Sequence, residues 1–146
     1  VSRQAIARAI RPPSSGNAGI RLKIRTSALM LASHATTASG PDTFAPSPGK
    51  IEFLVLPGGE GIRVDTAAYG GWQIPPHYDS LLAKVICWAG DRQEAIARMR
   101  RALTEFEITG VPTTIPFHLM VLDNAFFARG EVYTNFVQRR LDFTQL

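Results

Sequence analysis

The chain has 146 residues, 45% of them hydrophobic, and a formal net charge of +4. That suffices for one domain with a real core. It holds no run of about eighteen apolar residues that would cross a membrane, and its single cysteine, Cys87, excludes an internal disulfide framework. The charge divides unevenly. Residues 1–41 hold six bases (Arg3, Arg8, Arg11, Arg21, Lys23, Arg25) and no acid, which leaves ten bases against twelve acids in residues 42–146.

Residues 1–41 are expected to form an irregular, disordered basic leader. Pro12-Pro13-Ser14-Ser15-Gly16 breaks any helix begun before it. Residues 26–40 have low complexity and no clean period. An acid-poor, Arg- and Ser-rich start fits an organelle transit peptide or a disordered tail. The alternative function, a non-enzymatic basic module that binds nucleic acid through this leader and an arginine-rich helix face, lacks a stacking platform, because the leader has no Phe, Tyr or Trp.

The domain signal begins at Asp42 and continues to the end of the chain. Pro46-Ser47-Pro48-Gly49 is a turn, since proline fixes φ and glycine accepts positive φ. Lys50 to Leu56 then reads as a strand, with Ile51 and Phe53 on one face. After the turn at Pro57-Gly58-Gly59, Ile62 and Val64 mark a second short strand, expected to pair antiparallel with the first. Arg63 sits between them. Leu81 to Trp88 is apolar almost throughout and predicts a third, buried strand; Cys87 within it reads as a buried thiol.

Asp91 caps the clearest helix, with Glu94 at capping-box spacing. Ala95, Ile96, Met99, Ala102, Leu103 and Phe106 fall on its apolar face. Arg92, Arg98, Arg100 and Arg101 lie mostly opposite. A solvated helix face accounts for them better than a nucleic-acid patch does. Glu107 to Val111 allows a short strand. Thr113 or Thr114 caps a next helix with Pro116 in its first turn and Phe117, Met120 and Val121 on its apolar side. A last helix is expected over Asn135 to Leu141. The elements predict an α+β fold: a small antiparallel sheet packed with helices, preceded by the irregular leader.

Five ordered segments carry a resemblance: Phe44-Ala45-Pro46-Ser47-Pro48-Gly49-Lys50-Ile51, Pro57-Gly58-Gly59-Glu60-Gly61-Ile62-Arg63-Val64-Asp65, Pro75-Pro76-His77-Tyr78-Asp79-Ser80-Leu81-Leu82-Ala83-Lys84, Arg92-Gln93-Glu94-Ala95-Ile96-Ala97-Arg98-Met99, and Gly110-Val111-Pro112-Thr113-Thr114-Ile115-Pro116-Phe117-His118. From Asp42 to Leu141 the chain resembles the C-terminal domain of biotin carboxylase, found in acetyl-CoA, propionyl-CoA, methylcrotonyl-CoA and pyruvate carboxylases. The Thr-Thr-Ile-Pro-Phe-His form is most similar to the acetyl-CoA branch, which serves fatty acid biosynthesis.

The resemblance implies a ligase reaction. MgATP (or MnATP) activates bicarbonate as carboxyphosphate, and N1 of a biotin held on a carrier protein is then carboxylated. It implies that Arg63 is catalytic, lying beside bicarbonate and the ureido oxygen of biotin as that oxygen gains charge. A salt bridge to a sheet neighbour is the alternative role. Tyr78 and Asp79 are candidates to line the cleft, or to hold the Pro75-Pro76 loop near Arg63. Lys84, in an apolar strand, needs a partner such as Asp79 or Glu52. No cofactor-binding or metal-binding residue is assigned in this chain; His77 and His118 stand without ligand spacing.

The implied partners are the carrier protein or domain, the remaining biotin carboxylase domains, and a second copy in a homodimer. The implied compartment is the cytoplasm, or a mitochondrion or plastid if the leader is a transit peptide. The ATP-grasp domain is not in this sequence, so a fragment inactive alone is expected. The family's strand upstream of Pro41 is not legible in residues 26–40 either. An out-of-frame or unrelated leader would explain that, and the sheet would be left with an exposed edge.

Overall fold

The computed structural model describes residues 25–32, 34–35, 45–77 and 79–142. Among them are seven strands and four helices, in the order β1 (Arg25–Ala32), β2 (His34–Ala35), β3 (Ala45–Pro46), β4 (Phe53–Val55), β5 (Ile62–Thr66), β6 (Leu81–Ala89), α1 (Arg92–Glu105), β7 (Glu107–Thr109), α2 (Ile115–Asp123), α3 (Ala125–Arg129) and α4 (Phe136–Arg140). The α+β architecture expected from the sequence is present: small antiparallel sheets packed with helices.

β6 is the centre of the main sheet, whose order is β1-β6-β5. Its residues alternate as a strand covered on one side should. Ala83, Val85, Cys87 and Ala89 are buried, whereas Lys84 and Ile86 are half-buried and Trp88 is exposed. The strand expected to be buried is therefore fully covered along one face, while Lys84, Ile86 and Trp88 of the other face keep some exposure. Helix α1 covers that face. Ala95, Met99, Ala102 and Leu103, at i, i+4, i+7 and i+8, meet Val85 and Cys87 in one cluster with Phe106 and Leu122. The Cys87 thiol donates to the Ala95 carbonyl at 3.3 Å, which ties strand to helix.

α1 starts where the sequence places it. Asp91 Oδ1 accepts from the Glu94 N–H at 2.8 Å, and Glu94 Oε2 accepts from the Gly90 N–H at 2.9 Å, so two helix-end donors are satisfied.

A second cluster, Ile51, Ile74, Leu82 and Val111, lies beside the first. A bulge permits this. The β1–β6 register runs from Arg25 opposite Ala89 to Leu31 opposite Ala83, then shifts so that Ala32 faces Leu81. Leu82 falls out of the pairing and is buried in the second cluster, where regular alternation would place it on the half-open face. At Gly110 (φ +92°) a Cβ would collide with the Lys50 carbonyl, so glycine lets β7 close against this cluster.

Several expectations require correction. β5 pairs with β6, and β4 pairs with β7 instead of β5. Alternation identifies a strand's faces but not its partner. The sheet edge expected to be bare is occupied by β1; of the expected leader, residues 1–24, 33 and 36–41 lie outside the described residues. In α2 the residues that reach the main core are Ile115, Leu119 and Leu122, not Phe117 and Met120; Val121 is buried as expected. Thr114 holds the N-cap position of α2 without a side-chain cap bond, and its hydroxyl lies 3.3 Å from His118 Nε2. Helix α3 was not expected at all. Asn124 caps it through Oδ1 to the N–H groups of Phe126 and Phe127, and Gly130 ends it in the left-handed region.

Candidate functional site

Arg63 is presented by a short chain of causes. The Gly59–Gly61 turn reverses the backbone, with φ of +99° at Gly59 and +74° at Gly61, both in the region that favours glycine. Ile62 N–H closes the turn on the Gly59 carbonyl at 3.2 Å. β5 then alternates. Ile62 and Val64 pack against the main core, so Arg63 and Asp65 must project from the opposite face. Thr66 ends the strand: its hydroxyl donates to the Leu82 carbonyl at 2.6 Å and accepts from the Ala68 N–H at 2.9 Å.

On that opposite face, Arg63 and Asp65 form a fork-like pair. Nη2 donates to Oδ2 at 3.1 Å, and Nε lies 3.0 Å from Oδ1. A guanidinium has five N–H donors, and this pairing uses two of them. The side chain is 64% exposed. Three donors are thus available to a planar anion, while Asp65 fixes the plane of the fork. The cross-strand register sets Arg63 opposite Ile86 and Asp65 opposite Lys84. Asp65 is accordingly the carboxylate beside Lys84 in the sheet, a position the sequence assigned to Asp79 or Glu52.

The other candidate residues are placed differently. Asp79 is exposed, and its Oδ1 accepts from the Leu81 N–H at 3.2 Å at the start of β6. Leu81 is five residues from Ile86 along the strand, or about 17 Å at 3.3 Å per residue, so the register does not bring Asp79 to Arg63. Tyr78 lies outside the described residues. The loop before it is held by Ile74, 3% exposed, whose N–H donates to the Gly49 carbonyl at 2.8 Å.

The arginines of α1 are not a free basic face. Arg92 donates to the carbonyls of Phe127 and Ala128 at the end of α3. Arg98 bridges Glu94 and the Trp88 carbonyl. Arg100 pairs with Asp123 and Arg101 with Glu105. Each has an intramolecular acceptor, which leaves the nucleic-acid reading without support. Sequence reasoning missed these clamps and missed Asp65. For Asp65 a signal existed: i and i+2 on a strand share a face.

The biotin carboxylase C-terminal domain model matches residues 36–139. The chain belongs to this family. It is 57% identical to biotin carboxylase 1 of Bacillus subtilis over 95 residues, which cover 65% of this chain and 21% of that protein. It is 47% identical to a biotin carboxylase of Nostoc sp. over 125 residues, or 82% of this chain and 28% of that one. Residues 42–146 amount to 105 of 146, so a match this long extends upstream of residue 42. Among solved structures, the biotin carboxylase domain dimer of Hydrogenobacter thermophilus 2-oxoglutarate carboxylase, in complex with MgADP, ADP and bicarbonate, aligns with a TM-score of 0.73 and 39% identity. The alignment covers 77% of this chain and 24% of that one. The chain therefore spans about a fifth to just over a quarter of the length of these relatives. No described helix is long and apolar enough to cross a membrane.

Proposed function

We propose that this chain serves as the C-terminal domain of a biotin carboxylase that carboxylates carrier-bound biotin with MgATP and bicarbonate, and that Arg63 is its catalytic contribution. The observation that carries the proposal is the Arg63–Asp65 pair: an exposed guanidinium, fixed in plane and with donors left over, on the sheet face that α1 does not cover. Such a group can hold bicarbonate and meet the negative charge that develops on the ureido oxygen when N1 loses its proton. Nucleotide and metal are assigned to the remaining domains of the enzyme. Those domains, the biotin carrier and a second copy of the enzyme are the proposed partners. The proposed compartment is the cytoplasm.

The test is Arg63→Ala in a complete biotin carboxylase carrying this domain. Turnover for biotin carboxylation falls by about 10²–10³, the usual effect of removing one such donor. The KM for ATP changes little. Arg63→Lys restores only part of the rate, because an ammonium lacks the planar fork. Normal carboxylation by Arg63→Ala, or a loss of ATP binding before any loss of turnover, assigns Arg63 a structural role instead.

A further inference from the structure

The start of β5 is held in an unusual way. In the ladder, Gly61 and Trp88 occupy the position next to the Ile62–Cys87 pair. One bond of the kind expected there is present, from the Trp88 N–H to the Gly61 carbonyl at 3.1 Å. The Trp88 carbonyl takes its donor from the guanidinium of Arg98, whose Nη1 is 2.6 Å away. The other arm of the same guanidinium is fixed by Glu94, with Nη2 2.7 Å from Oε1. Glu94 in turn caps the helix start through Gly90.

Arg98 reaches this carbonyl through space that only glycine leaves open. A Cβ on Gly61 would collide with Arg98 Nη1 and would stand 2.8 Å from the Trp88 carbonyl oxygen. Next to it, Arg101 Nη2 lies 3.4 Å from the Gly58 carbonyl. Two arginines one turn apart on α1 therefore grip the glycine turn from which Arg63 emerges two residues later. This grip does not resemble an ordinary surface pair. The Arg98 side chain is only 22% exposed, and its acceptor is a main-chain carbonyl at a strand end.

We propose that Arg98, seated in the space vacated at Gly61, is a positioning residue for Arg63: it replaces a ladder donor and sets the height at which β5 presents the catalytic guanidinium. The inference rests on the catalytic reading of Arg63. Displacements of about 1 Å in a reacting group can cost on the order of 100-fold in rate, so a loosened turn is felt at the site.

The experiment uses a complete biotin carboxylase carrying this domain, with rates normalised to the folded fraction. Arg98→Gln and Gly61→Ala each lower kcat for biotin carboxylation by roughly 10-fold while the KM for ATP is unchanged. Arg98→Lys recovers part of the loss, since one ammonium reaches the carbonyl or Glu94 but does not span both. The double variant Arg98→Gln/Gly61→Ala is no slower than the worse single one, because both changes break the same contact. Normal kcat per folded molecule in both single variants, or fully additive losses in the double variant, overturns the positioning role. Arg63→Ala, run alongside, separates the two readings. If it is also normal, the catalytic assignment has failed; if it alone is slow, only the role of Arg98 has.

Discussion

The two faces of the sheet formed by β5 and β6 are built from interleaved residues and have opposite characters. Val64, Val85 and Cys87 lie against Met99 and Leu103 of α1 in a dry cluster. One step along each strand, Arg63, Asp65, Lys84, Ile86 and Trp88 lie on the face that α1 does not cover. Stability and the proposed chemistry are thus written in alternate letters of the same strands. The covered face can tolerate no polar group without a partner, while the other can present a charged fork because water and a neighbouring carboxylate solvate it. The constraint runs in one direction. Packing of Ile62 and Val64 fixes where Arg63 points, whereas nothing in the core depends on Arg63.

The contrast predicts a clean division. Met99→Ala, at a site with no exposure, lowers unfolding stability by about 2–5 kcal/mol through lost burial and a cavity. Arg63→Ala, at an exposed pair, changes it by no more than about 0.5 kcal/mol. Denaturant titrations of the two variants measure both. A large loss of stability in Arg63→Ala would mean that the two faces are coupled, and the separation drawn here would be lost.

At the helix end that joins the faces, the effect is intermediate. Asp91→Ala removes the bond to the Glu94 N–H and costs about 0.5–2 kcal/mol. Asp91→Asn retains most of it, because the amide oxygen still accepts. If the Asn variant is as unstable as the Ala variant, the charge of Asp91 at the helix start matters more than its hydrogen bond.

Residues that act through local rules were legible in the sequence. Asp91 and Glu94 were read as a cap because three-residue spacing fixes their geometry. The face of α1 followed from its 3.6-residue period, and the motif around Gly61-Ile62-Arg63 singled out the candidate catalytic residue. Pairing was not legible. β5 alternates equally well against β4 or β6, and only the clusters around Ile51 and Met99 decide between them. β1 was hidden because Arg25–Ala32 mixes Ala, Ser and Thr with Leu and Met, which gives little hydropathy contrast. Asn124 and Gly130 signalled α3 at both ends, but five residues are too few for periodicity to register. The reach of Arg98 to Trp88 was beyond sequence reasoning, since it depends on how α1 lies across the sheet.

The smallest effect belongs to an exposed pair at the end of α3. Arg129 and Glu131 pair at 2.8 Å with both side chains about half exposed, and the Arg129 guanidinium also lies over the Phe126 ring. The hydrogen bond from Arg129 holds the Glu131 carboxyl below its ordinary value, and the same bond raises Arg129 further above neutrality. A carboxyl depressed on folding stabilises the native state at pH above its unfolded value, about 4.3, and that contribution disappears as pH falls through the depressed folded value. The contribution of Arg129 is complete below its own unfolded value and is constant across this window. Glu131→Gln should therefore lower Tm slightly at pH 7, by less than Asp91→Ala does. The difference from wild type should close as pH falls from the unfolded value through the depressed folded one, and also at 1 M salt, where screening shortens to about 3 Å. A difference that persists at low pH and high salt would assign the contact to packing against Phe126 instead of charge.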